Sequence, residues 1–265
     1  MNKLKKLFAP VDMTAGRPWE DILIFTIPML IGNIAQQLYN TVDSIVVGRF
    51  VGDNALAAVG SAGPILNLLI VLFVGISVGA SIMVSQYLGA RNREALSGTI
   101  GTCIMLTAIA SLIIMVVATL AARPLLEIMK TPSDIIDDSY NYIIVIFEGI
   151  AAAVFFNLFS SILRSLGDSK TPLVFLIIAS IINIILDFVF ILTFKMGVAG
   201  AGWATVIAQF ISGILCFVYS LKKFPILRLT KHDWKFSWKF AWQHLEVGLP
   251  MAFQFSITAI GTMVI

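Results

Sequence analysis

The sequence predicts an all-α, polytopic transmembrane helical bundle: a six-helix lobe followed by the start of a second, parallel-repeat lobe. Three observations carry that prediction. Of 265 residues, 58% are hydrophobic and 12% are charged, about half the charged share of a soluble domain. The charges are segregated, leaving long stretches with almost none. Those stretches repeatedly reach the roughly 20 residues that a bilayer core requires. Backbone groups must be paired in lipid, so such stretches are helices or closed barrels. Barrel strands would alternate over about 10 residues, whereas these runs are continuously apolar.

Six complete spans are predicted at 22–48, 55–86, 96–122, 140–163, 172–194 and 198–221. The second is longer than a bilayer needs, so it tilts or extends beyond the membrane. A seventh opens near Glu246 and runs to Ile265. The expected organisation is a lobe at 1–221 with a cytoplasmic tail, an interfacial linker at 222–245, and the first helix of a second lobe at 246–265. The tail, Met1 to Pro10, is basic but lacks the apolar core and small-residue cleavage site of a signal peptide.

Orientation follows from the Lys and Arg residues. With the N-terminus inside, 14 of the 18 fall in inner segments and 4 (Arg49, Arg123, Lys130, Lys195) in outer ones. That bias places the N-terminus in the cytoplasm of a multi-pass plasma or inner membrane protein. It also accounts for the net charge of +3, so no nucleic-acid partner is implied. Within 222–245, Trp234, Trp238 and Trp242 alternate with Lys231, Lys235 and Lys239 at intervals of four. That spacing predicts an amphipathic helix lying in the inner interface. His232 and His244 fall in the same linker, away from any metal-like spacing, and Cys103 and Cys216 sit in apolar spans as small buried hydrophobes.

An internal match supports two lobes. Ile27-Pro28-Met29 opens span one and Leu249-Pro250-Met251 opens span seven, 222 positions later. Six spans separate them, so both helices enter from the same side, as in a parallel repeat. An intact form is therefore expected to have about twelve spans and a C-terminal lobe beyond Ile265.

Ionisable groups in a bilayer cost at least a few kcal/mol, and Asp43, Asp187 and Glu148 each need a reason. Span one carries Asn33, Gln36, Gln37, Asn40, Asp43 and Ser44, which fall within a stripe roughly 120° wide on a helix. Span five repeats the device with Ser180, Asn183 and Asp187, and span six with Thr205, Gln209 and Ser212. Packed together, these faces make an oxygen-rich cluster. Two aspartates in a partly desolvated cavity do not both stay ionised without a cation, so the pair holds a shared proton or a small hard ion. The competing reading is that the polar groups only hydrogen-bond between helices. Glu148 has no partner in its own span. A Gly75-x-x-x-Gly79 pair predicts a close helix–helix approach. There is no Walker loop and no nucleophile with its base, so neither ATP drive within the chain nor enzymatic activity is expected.

From about Trp19 onward the chain resembles the multidrug and toxic compound extrusion (MATE) family. The likeness rests on Ile27-Pro28-Met29, Tyr39 with Asp43, Gly48-Arg49-Phe50-Val51-Gly52, the Ala55–Gly60 stretch, Gln86-Tyr87-Leu88-Gly89-Ala90-Arg91-Asn92, the loop from Arg164 to Pro172, and Gly197 to Thr205. The resemblance implies two six-helix lobes around a central cavity, no cofactor, and export of small amphipathic drugs in exchange for H+ or Na+. It implies a cation site on Asp43, Asn183, Asp187 and Thr205, the Na+ ligands if the protein is sodium-coupled. Gln36, Tyr39, Asn40 and Gln209 are candidate cavity residues. The alternatives are a related flippase for lipid-linked precursors, which would need Arg and Lys in the cavity, and an uncoupled channel or scaffold. No Arg or Lys is expected in the inner spans.

Overall fold

The computed structural model describes residues 18–227 and 236–264. The basic tail and most of the Trp/Lys alternation, including Lys231, Trp234 and Lys235, lie outside the described residues.

Among the described residues eight α-helices run in order: α1 (Pro18–Phe50), α2 (Asp53–Gly89), α3 (Arg93–Ile128), α4 (Ile136–Glu148), α5 (Ile150–Ser165), α6 (Lys170–Asp187), α7 (Gly197–Lys223) and α8 (Trp238–Val264). Among the described residues α1, α3, α6 with its extension, and α7 are long and apolar enough to cross a membrane, and the bent pair α4–α5 makes a further span. At 37 and 27 residues, α2 and α8 also exceed the length of a bilayer core. The bundle is a transmembrane one. On α6, Ile177, Ile181 and Ile185 recur every fourth residue and are exposed, while Asn183 and Asp187 on the opposite side are fully buried. A water-soluble helix has the reverse arrangement.

Three elements depart from the expected spans. The fourth is two helices meeting at 50° across Gly149 rather than one rod. A Cβ at Gly149 would run into the Val206 side chain, so α7 presses on the break where only glycine fits. The fifth changes at Asp187 into a π-helical turn, Phe188–Thr193. A π-turn takes in an extra residue and rotates the rest of its helix, which is why such turns collect at functional positions. At the other end of the chain α8 is continuous from Trp238, so Trp238, Lys239 and Trp242 belong to the seventh helix and not to a separate interfacial one.

Packing is in two large apolar clusters, with a smaller one of Phe73, Ile150 and Val154. Val46, Val47, Ala122, Leu126, Ile143 and Phe147 build one large cluster. Val84, Leu96, Ile100, Leu158, Phe159 and Leu163 build the other, toward the 89–93 and 165–170 loops. The central α7 touches α4, α5 and α6, and α1 packs on α6. The helix α8 lies along α2, where Gly75 and Gly79 face Ala252 and Gly248. A Cβ on Gly79 would stand 2.7 Å from the Gly248 Cα, so the close approach expected of the Gly pair is made, and its partner is α8. The contact is fastened nearby by Tyr87, whose hydroxyl donates to Gln243 Oε1 at 3.2 Å. Cys103 Sγ lies 2.6 Å from His244 Nε2, with both residues buried. His244 is thus a core residue of the seventh helix, because the thiol of a distant span meets its ring.

Candidate functional site: a carboxylate cluster beside a cleft

The polar faces of α1, α6 and α7 meet. Asp43, Asn183 and Asp187 are buried, and the carboxyl groups of Asp43 and Asp187 are in hydrogen-bonding contact. Each keeps one buried oxygen, Oδ1, with no partner among the described residues. The Tyr39 hydroxyl reaches Thr205 Oγ1 at 3.3 Å and ties α1 to α7. The Asn183 amide is best oriented with its nitrogen toward Asp187, donating to Oδ2 at 3.1 Å while its oxygen accepts from the Thr205 N–H at 3.2 Å. Asn183 in that orientation braces a carboxylate and does not offer a free oxygen. Thr205 supplies the neutral oxygen. Tyr142, from the bent span, also lies close to Asp43, Tyr39 and Asp187. It was not legible as a site residue because its neighbours, Ile143 to Phe147, are apolar.

Local structure positions each group. Asp43 lies in the last third of a 33-residue helix, against the apolar cluster of Val46 and Val47. Asn183 and Asp187 are one turn apart, and the α-helix gives way to the π-turn directly after Asp187. Thr205 is one turn past the Gly200-Ala201-Gly202 segment, whose small residues let α7 approach Phe190 and Val145.

One cavity reaches the cluster through Tyr39, and a second lies farther along α1. The first, narrow and of about 100 Å³, runs between α1, α5, α6 and α7 and includes Asn33, Gln36, Tyr39, Ser180 and Gln209. Asn40 is not in its wall; it is exposed on α1, off the face that packs on α6. A larger cleft of about 1030 Å³ lies between α1, α2, α5 and α8, bordered by Phe25, Met29, Val78, Ser85 and Phe255. Met29, Asn33 and Arg164 belong to both walls. Arg164 corrects the expectation of a cavity without basic residues. It sits at the end of α5, where its long side chain turns inward and donates to Ser161 Oγ at 3.2 Å.

Residues 28–189 match the MatE family profile. The chain belongs to the MatE family. It is 34% identical to the "Probable multidrug resistance protein YoeA" of Bacillus subtilis over 222 residues, 82% of this chain and 46% of that protein. Its fold superimposes on an outward-facing multidrug resistance MATE family transporter of the MOP superfamily with a TM-score of 0.86 and 29% identity, covering 94% of this chain and 55% of the other. A MOP superfamily transporter from Pyrococcus furiosus gives 0.83 at 29% identity, covering 96% and 55%. The chain spans about half the length of the curated relatives it matches. The relatives it matches are membrane transporters.

Proposed function

We propose that this chain is the N-terminal lobe of a secondary antiporter that exports small amphipathic compounds in exchange for protons. The observation that supports the reading best is the contact between the Asp43 and Asp187 carboxyls within the membrane. Two carboxyl groups that share a hydrogen bond hold one proton between them, and the proton belongs to the pair. Asn183 donates to Asp187, which suits a site that gains and loses a proton more than a shell of oxygen ligands around Na+.

Coupling follows from the helix that both ligands touch. Asp43 carries the ion at one end of α1, and Phe25, Met29 and Asn33 border the substrate-sized cleft at the other. Pro28 lies inside α1 between these cleft residues. It removes one backbone hydrogen bond and crowds the preceding carbonyl, so α1 bends most readily there. Protonating the pair removes its charge and lets the α1–α6–α7 contact tighten; deprotonation loosens it and reshapes the cleft. Each ligand then prefers a different shape, as alternating access requires. Export is proposed for a protein of the length of its relatives, of which this chain spans about half.

The test is ion stoichiometry in the purified protein. Adding substrate at weakly buffered pH releases protons from the wild type and fewer from Asp187→Asn. Thr205→Ala leaves proton release nearly intact, since the hydroxyl is not the proton carrier. A large loss in Thr205→Ala, together with saturable Na+ binding, would replace H+ by Na+ as the coupling ion. A second reading draws on Arg164 and Arg91, which both border the cleft: transport of an anionic, lipid-linked precursor. Binding of a pyrophosphate-bearing lipid that is lost in Arg164→Gln would favour it.

A further inference from the structure

Glu148 is a carboxylate within a predicted span that the cluster does not use. It is the last residue of α4, at the 50° break, and its side chain is exposed. Sixteen residues of α5 separate it from the end at Ser165, and thirteen residues of α4 end on it. At 1.5 Å per residue these are lengths of about 24 Å and 20 Å; counted from the start of the predicted span at Tyr140, past the exposed Asp137 and Asp138, Glu148 lies about 12 Å inside it. It makes no hydrogen bond or ion pair among the described residues. A carboxylate at that depth without a counter-charge costs several kcal/mol.

Beside it a groove of about 540 Å³ separates the bent span from α7. Phe155, Trp203, Ile207, Phe210 and Ile214 line it, and Glu148 is the sole charged side chain of its wall among the described residues. The groove is not a branch of the cluster's cavity. Taking Thr205 as zero on α7, Trp203, Ile207, Phe210 and Ile214 fall roughly 140–200° round the helix, on its opposite flank. Phe210 and Ile214 are 52% and 40% exposed, as expected of a wall that opens to lipid. The groove lies at the bend: Gly149 is held against Val206, with Val145 against Gly202 on one side of it and Phe155 against Gly213 on the other.

We infer that this groove is a membrane-facing binding site for a lipophilic organic cation, with Glu148 as its counter-ion. Its volume lies within the roughly 300–1,000 Å³ of small-molecule sites, and its walls are apolar and aromatic as those sites are. An inorganic cation would find one carboxylate and no further oxygen side chain in the wall, too few ligands to replace its water. A cation whose charge is spread over an apolar body loses little hydration on entry. It gains the carboxylate together with the faces of Trp203, Phe155 and Phe210. The site is entered from the bilayer and is separate from the ion cluster on the other side of α7.

The probe is tetraphenylphosphonium, with tetraphenylborate as an anion of the same shape, measured against the full-length protein in neutral-lipid nanodiscs with empty discs subtracted. The wild type binds the phosphonium saturably, and the borate does not saturate. Glu148→Gln weakens phosphonium binding tenfold or more at an unchanged melting temperature. Ala151→Trp, at an exposed position on the groove's edge, removes the same component by filling it, and Asp43→Asn leaves that component in place. Unaltered affinity in Glu148→Gln, or saturable borate binding of equal strength, overturns the site. So does a component abolished by Asp43→Asn instead, since the cation would then be at the cluster.

Discussion

Asp168→Ala is predicted to loosen the cluster from a distance by releasing the loop that registers α6 against α7. Asp168 is 2% exposed and accepts three hydrogen bonds: from the Thr171 N–H at 3.0 Å, the Thr171 hydroxyl at 2.7 Å and Lys223 Nζ at 2.8 Å. The first two cap the start of the helix that carries Asn183 and Asp187. The third joins it to the end of the helix that carries Thr205. Losing a helix cap costs about 1 kcal/mol, and losing a largely buried charged hydrogen bond costs about 1.5–3 kcal/mol. The sum is about 2.5–4 kcal/mol, on the order of 10 °C in Tm for a chain of this size. Thermal unfolding in detergent measures it, and a double-mutant cycle with Lys223→Met isolates the pair. The cycle should return a coupling of about 1–3 kcal/mol. Equal melting of Asp168→Ala and the wild type, or additive single variants, would refute the clamp.

Other outcomes rest on the same geometry. Gly79→Ala should lower stability by about 1–3 kcal/mol through overpacking against Gly248, whereas Gly60→Ala, with nothing within 4 Å of a Cβ, should not; equal effects would remove the α2–α8 seam from the account. Single cysteines should be labelled from outside at Ser133 and not at Ser237, and the reverse pattern would invert the topology. The native Cys103 and Cys216 are both buried, so their background is low. His244→Ala should destabilise the protein by about 2 kcal/mol or more, by leaving a cavity and an unpaired thiol; an unchanged unfolding midpoint would mean that the Cys103 contact contributes nothing.

Legibility in the sequence divides along physical lines. On the first span Asp43 was readable because a carboxylate is costly in lipid, and the structure buries it, whereas Asn33, Gln36, Gln37 and Asn40 of the same polar stripe are exposed on α1. Asn183 and Asp187 were readable for the same reason, and the structure brings them to Asp43 and Thr205. The break at Gly149 was not. Its neighbours are apolar, no proline marks it, and the need for glycine comes from Val206, 57 positions away. The π-turn is invisible for a related reason: Phe-Val-Phe-Ile-Leu-Thr suits an α-turn equally well. Arg164 read as a loop residue, since a helix end does not reveal whether a long side chain turns to solvent or to a cavity. His244 read as a linker residue because its partner, Cys103, lies four spans earlier in the chain. The Trp and Lys spacing near 238–242 fits an interfacial helix and the entry of a spanning helix equally, and tertiary packing on α2 decides for the second.

The measurement that bears most directly on the central claim is gradient-driven export from proteoliposomes carrying the full-length protein. Wild type, Asp43→Asn and Asp187→Asn are compared at matched abundance. Each Asn keeps the size of the side chain and removes its titratable proton, so insertion and melting should be preserved. An inward proton gradient should drive a lipophilic cationic dye out of wild-type vesicles and leave it inside those with Asp43→Asn. Asp187→Asn should retain at most a minor part of the rate, since one carboxyl remains. Export by Asp43→Asn as fast as by the wild type would contradict the account: the cluster would then be a packing feature, and the coupling site would lie elsewhere.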